Sequence, residues 1–281
     1  MRRIRLRGLA RGIGFAVVAV LCIVAPATAG VFQTKHNLGS TGINAASNLS
    51  STREICVFCH TPHGADGAAA VPLWNRQLDP DGFQTYDQMG ASTLDAKVEP
   101  VGSVSLACLS CHDGTQAMDA LLNEPGSGRD HPGFSAGMWS GQAATVGGRI
   151  GPTTVITNLT KDLTNDHPVG IQYAGGGYSL SNPDGPGKDK DFYPAESEIM
   201  GASRVWWVNT RSGPNPVGST ARFERTDMKL YTRVATQGAF VGEPQPYVEC
   251  ASCHDPHVDY NPTFLRIDPA GSAVCLTCHA K

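Results

Sequence analysis

Four copies of one five-residue pattern constrain this chain more than any other feature: Cys56-Val57-Phe58-Cys59-His60, Cys108-Leu109-Ser110-Cys111-His112, Cys250-Ala251-Ser252-Cys253-His254 and Cys275-Leu276-Thr277-Cys278-His279. They use eight of the nine cysteines; the ninth is Cys22. Eight cysteines in an exported chain also suit four disulfides or two four-thiolate zinc sites. Neither explains why a histidine follows the second cysteine each time. With 9 histidines in 281 residues, four such coincidences have a chance of about one in a million. Cys-x-x-Cys-His is the attachment signature of c-type haem. Thiols three residues apart reach the two vinyl groups of one porphyrin as thioethers, and the adjacent imidazole takes an axial position on iron. The sequence therefore implies four covalent haems c. Cys56, Cys59, Cys108, Cys111, Cys250, Cys253, Cys275 and Cys278 attach them, with His60, His112, His254 and His279 as proximal iron ligands.

Five histidines remain: His36, His63, His131, His167 and His257. They suffice to give each iron a second imidazole, with one spare. His63 and His257 follow His60-Thr61-Pro62 and His254-Asp255-Pro256, each three residues past a proximal histidine and directly after a proline. Proline locks its own φ and restricts the residue before it, so the second imidazole sits on a short, stiff arm. The haem tethered against the first histidine turns its other face away, so each arm is expected to reach a neighbouring haem. His167 stands in Asp166-His167-Pro168, where Asp166, another carboxylate or a carbonyl can hold its far nitrogen. His36 lies in a polar stretch, Lys35-His36-Asn37. His131 resembles His167 in setting but follows Gly126-Ser127-Gly128, and is the spare. Met89, Met118, Met138, Met200 and Met228 bear no repeated relation to the motifs, so methionine ligation is the weaker expectation.

Arg2, Arg3, Arg5, Arg7 and Arg11, an apolar run from Gly14 to Val24 and the small residues Ala27-Thr28-Ala29 read as a secretory signal peptide over residues 1–29. The run is too short to span a bilayer comfortably, and bulky Leu21 argues against lipidation at Cys22. Periplasmic or extracellular placement follows, with no membrane span after cleavage. Five of the 22 basic residues and none of the 25 acidic ones fall in the leader, leaving a net charge of −8. That disfavours nucleic acid, which is bound by neutralising phosphates.

Residues 30–281 read as one haem-carrying region of two modules, about 30–150 and 151–281. Each has an upstream histidine, a Cys-x-x-Cys-His-x-Pro-His segment and a plainer Cys-x-x-Cys-His. Glycine and proline number 32 and 19, well above an average share of roughly 12% together. The expected fold is therefore mostly irregular and loop-rich, with a few short helices at the motifs. Thr115–Leu122 reads as a helix after the second motif. Val205–Val208, Lys229–Arg233 and Tyr247–Val248 read as a small antiparallel ribbon, and 175–187 as a loop. Val71-Pro72-Leu73-Trp74-Asn75-Arg76 is a packing strip against a porphyrin.

His36-Asn37-Leu38, the Cys56–Ala65 segment, Pro72-Leu73-Trp74, Cys108–Thr115, Asp166-His167-Pro168-Val169-Gly170, the Cys250–His257 segment and Cys275–His279 together resemble the multihaem cytochromes with doubled Cys-x-x-Cys-His motifs. More narrowly, they are similar to tetrahaem subunits of extracellular cytochrome filaments from metal-reducing microbes. The resemblance implies His36, His63, His167 and His257 as distal ligands and gives His131 no counterpart. It also implies identical subunits as partners, one haem taking its distal histidine from the next copy, for which His36 near the mature amino terminus is the natural donor.

An electron carrier, acting on redox protein partners or extracellular acceptors, is the leading reading. A multihaem enzyme acting on nitrogen oxides or hydroxylamine needs an iron with an open position. Five histidines can close all four sites, and no Cys-x-x-Cys-Lys variant is present. No catalytic residue is therefore assigned.

Overall fold

The computed structural model describes residues 30–43, 52–90, 92–126, 145–146, 148–210 and 223–280. The leader, Cys22 and His131 lie outside them. Among the described residues no helix is long and apolar enough to cross a membrane.

Regular structure is sparse. The α-helices are α1, Ser103–His112, α2, Cys250–Cys253, and α3, Ala273–Cys278, joined by several single 3₁₀ turns. Strands β1, Thr145–Val146, and β2, Arg149–Ile150, form a minimal hairpin. Strands β3, Ile171–Gln172, β4, Glu196–Met200, β5, Ser203–Val208, β6, Met228–Val234, and β7, Pro244–Val248, form one antiparallel sheet in the order β3-β7-β6-β5-β4. The ribbon expected from the β-branched and aromatic runs is present, with Trp206 opposite Leu230 and Tyr231 opposite Tyr247. It is widened by two strands whose sequences carry no such signal. Glu196-Ser197-Glu198 pairs with Val205-Trp206-Trp207 through backbone bonds at the sheet edge, where charged side chains also discourage pairing with another chain.

The largest apolar cluster lies on this sheet, where Trp206, Tyr173, Tyr178, Met228 and Leu230 pack together and Cys253 and Cys278 lie against them. A second, Val57, Phe58 and Met118, includes Cys59 and Cys111 at its margin. Apolar surface is therefore concentrated around the cysteines.

The helix expected over Thr115–Leu122 does not form; the helix is α1, which carries the second motif itself. Gly114, at φ +70°, ends α1 in the left-handed conformation common just past a helix. A side chain there would collide with Asn158, whose amide atoms lie 2.6–2.9 Å from the position of a Cβ. The Asp113 carboxylate then takes the Thr115 N–H at 2.8 Å. Finally, the buried Arg76 guanidinium donates to the carbonyls of Ala117 and Met118 at 2.7 and 2.9 Å, claiming the acceptors a helix would need.

Residues before and after 150 are interlaced. Ser105 donates to Glu249, His36 bonds to Pro256, and Thr236 donates to Glu99. The two-module division describes the motif order, whereas the packing is shared.

Candidate haem-attachment and iron-ligand sites

Each motif folds as a single helical bracket. Cys56–Phe58 is a 3₁₀ turn, Cys108 to His112 closes α1, and α2 and α3 each end on the second cysteine of their motif. Residues three apart share one side of a helix, so both thiols of each motif face the same way. All eight motif cysteines are free thiols. Burial pushes Cys59 and Cys278 up to about 12 and Cys253 up to about 11, which keeps them neutral beside apolar surface. The Cys108 thiol is raised by its hydrogen bond to Cys250 and by burial, so the second and third attachment points touch. Among the described residues, no three Cys, His, Asp or Glu side chains are grouped to hold a bare metal ion, the arrangement a four-thiolate zinc site needs.

Three of the four proximal histidines are oriented by backbone carbonyls. The Nδ1 of His60 lies 2.8 Å from Pro72 O, that of His112 2.8 Å from Thr157 O, and that of His254 2.7 Å from Thr263 O. A carbonyl only accepts, so in each ring Nδ1 carries the proton and Nε2 presents its lone pair, the form that binds a metal. His36 and His167 share this arrangement, 3.0 Å from Pro256 O and 3.1 Å from Pro168 O. For His167 the acceptor is thus a carbonyl and not Asp166. His257 Nδ1 lies 3.5 Å from the Asp255 carboxylate. Burial lowers His36 to about 4, so it is a neutral imidazole at physiological pH.

The relative placement of the rings is more telling. Metal–imidazole bonds are about 2.0–2.1 Å long, so rings on opposite sides of one ion have centroids about 6.3 Å apart, allowing about 1.1 Å from each nitrogen to its centroid. His60 and His257 lie 6.4 Å apart with planes within 13° of parallel. His36 and His112 lie 6.2 Å apart at 70°. His167 is lowered by burial and further by nearby His279. His63 is exposed; its carbonyl accepts bonds from Thr61 and Asn123.

His36 does not project away from the chain. Thr34 and Asn37 beside it are fully buried, Asn37 donates to Phe32 O at 2.8 Å, and the His36 ring stacks on Phe264 at 4.2 Å. Within the single chain, then, His36 is held by contacts of its own polypeptide. Isolated sequence reading missed this because the contacts that hold it, Pro256 and Phe264, lie at the other end of the polypeptide.

A backbone cradle that motif reading also missed recurs around the first and third motifs. Leu73 O accepts Thr61 N and Phe264 O accepts Asp255 N, both at 2.8 Å; Asn75 N donates to Cys59 O and Arg266 N to Cys253 O, both at 2.9 Å. The central residues, Leu73 and Phe264, have φ of +56° and +62°. This conformation is uncommon and strained for bulky side chains and tends to persist where surrounding structure demands it. Here it turns the preceding carbonyl, of Pro72 or Thr263, onto the proximal imidazole. No shared side-chain pattern marks it: the Pro-x-aromatic-x-Arg runs Pro72–Arg76 and Pro262–Arg266 stand one residue out of register with the cradle.

Paired free thiols whose second members lie against apolar surface, imidazoles with Nε2 free and ring spacings suited to one shared ion all fit haem c. When bound, a haem iron between two imidazoles supplies a reversible one-electron couple. A search of curated proteins finds no match to the chain. The family model described as the doubled CXXCH motif matches residues 245–281, which hold the third and fourth motifs; the chain thus carries the covalent haem c signature of multihaem c-type cytochromes.

Proposed function

We propose that this chain is an exported electron-transfer protein that carries four haems c, each iron held between two histidines. The carrying observation is the His60–His257 pair, 6.4 Å between ring centroids and drawn from opposite halves of the chain. His36 with His112 and His167 with His279 complete two further sites. His63 is assigned to the site of His254, because the two His-x-Pro-His arms then exchange their second histidines. Each arm so places two haems side by side, since its two imidazoles are only three residues apart.

The protein's own residues hold five of the eight imidazoles in one tautomer, exclude water with Phe58, Trp74, Phe264 and the sheet aromatics, and would give each bound iron a second imidazole. A closed iron exchanges electrons and binds no substrate, which is why the carrier reading stands ahead of an enzyme. Two imidazoles also favour ferric iron relative to His/Met ligation, giving lower potentials. Delivery to an extracellular acceptor and end-to-end joining of copies extend the same reading. Electron microscopy of the secreted protein shows filaments if copies join and separate particles if they do not.

The expected composition is four haems per chain by pyridine haemochrome assay and only low-spin ferric signals by electron paramagnetic resonance. A high-spin signal in the resting oxidised protein overturns the fully closed assignment and favours an enzyme. Fewer than four haems overturns the count.

A further inference from the structure

Glu249 is buried, with 1% of its surface exposed, and stands between two attachment helices. It precedes Cys250 and caps α2, its side chain accepting the Ser252 N–H. Ser105 of α1 donates to its carboxylate at 2.5 Å, and the same Ser105 oxygen accepts the Cys250 N–H at 2.9 Å. Arg233 of β6 lies 3.2 Å from the other carboxylate oxygen. The Gly170 N–H is beside it. Tyr231 of β6, Tyr247 of β7 and Cys250 are the other titratable groups that feel its charge, and Cys108 is bonded to Cys250. None of these is an iron-ligand histidine. Burial lifts the Glu249 carboxyl above its ordinary range, against the lowering effect of Ser105 and Arg233.

We propose that Glu249 takes up a proton when the haems attached through Cys108 and Cys250 are reduced, coupling electron transfer to pH. The inference rests on the reading that both motifs carry haem. Glu249 gains one proton from water, forming an O–H bond, for one electron accepted at iron from an external one-electron donor; the net charge of the pair of sites is unchanged. Removing positive charge from iron raises the proton affinity of a nearby carboxylate, and by linkage the reduction potential falls as pH rises. The fall begins above the carboxyl's pKa in the oxidised protein and ends above its higher pKa in the reduced protein, at a limiting slope of about 59 mV for each tenfold change in proton activity.

The test compares wild type, Glu249→Gln and Ser105→Ala as holoproteins, after absorption spectra confirm equal haem content; unequal wild-type content relative to four haems is a failure of the haem reading and not of this one. Potentiometric titration across pH is expected to show a falling midpoint in wild type and a flattened one in Glu249→Gln. Ser105→Ala, which keeps the carboxylate but removes a donor, is expected to move the window to higher pH. The reduced-minus-oxidised infrared spectrum should gain a protonated-carboxyl band that Glu249→Gln lacks. Should Glu249→Gln fail to fold, the Ser105→Ala displacement and the wild-type band decide. Equal pH slopes in all three proteins, or no carboxyl band on reduction, overturn the proposal.

Discussion

Replacing His257 with alanine is expected to change the iron bound through Cys56 and Cys59, in the other half of the chain, from low-spin to high-spin. His257 follows the third motif, and its stiff arm is expected to reach a neighbouring haem rather than the one beside His254. The structure sets its ring 6.4 Å from His60, nearly parallel to it, and His60 is already fixed by Pro72 O and edge-on to Trp74 at 5.8 Å. Alanine removes one axial imidazole and leaves the thioethers and His60 in place, so the haem stays attached with an open position. One of four ferric signals should become high-spin and the other three should persist. His257→Met offers a thioether in its place, and there the expected result is a low-spin iron with a raised midpoint, as exchange of imidazole for methionine favours the ferrous form. If Cys56→Ser/Cys59→Ser protein, lacking the first haem, still shows the same spectral change on His257→Ala, the cross-chain pairing is wrong. A secondary loss at the His36–His112 site is limited by Pro256, whose carbonyl, rather than the His257 side chain, bonds His36.

The Cys-x-x-Cys-His segments were legible in the sequence because their pattern is local. A thiol pair must sit three residues apart with its histidine adjacent, and each such segment folds as one short helical bracket. Strands β5 and β6 were legible because Trp206, Trp207 and Leu230 are large side chains buried on a sheet. Strand β4 was hidden because Glu196-Ser197-Glu198 owes its conformation to β5 and not to its own pattern. Thr115–Leu122 misled for the opposite reason. Its helix-forming side chains are overruled by Gly114, Asp113 and the carbonyl-binding Arg76. The contacts of His36 were beyond local reading altogether, since it meets Pro256 and Phe264 only after the two ends of the chain come together. The tautomers of five histidines likewise depend on carbonyls that carry no side-chain signature.

Arg76→Met is expected to destabilise the fold by about 3–5 kcal/mol, the scale of losing two or three charge-assisted hydrogen bonds to buried carbonyls. Arg76 is fully buried, and its guanidinium donates to Met118 O at 2.9 Å, Ser110 O at 3.1 Å and Ala117 O at 2.7 Å. Charged hydrogen bonds contribute about 1.5–3 kcal/mol each, and the carbonyls left behind lose their donors in a place water does not reach. Methionine matches the length of the stem but supplies none of them. The three carbonyls belong to the end of α1 and the turn after it, so their release should loosen the segment that positions His112. Loss of a buried positive charge has a second consequence, because Arg76 lowers the thiols of Cys59 and Cys111 against the upward push of burial. It therefore lies near the first two haem positions, where its removal favours the oxidised, more positive iron and should lower the corresponding midpoints. Thermal unfolding followed by far-ultraviolet circular dichroism measures the first effect and potentiometric titration the second. Lys161→Ala is the contrasting case. Its 2.7 Å ion pair with Asp79 is partly exposed on both sides, and exposed pairs of this kind contribute about 0–1 kcal/mol. An Arg76→Met protein that unfolds within about 1 kcal/mol of wild type, no further shifted than Lys161→Ala, would show that the buried guanidinium is not what fixes the turn after α1.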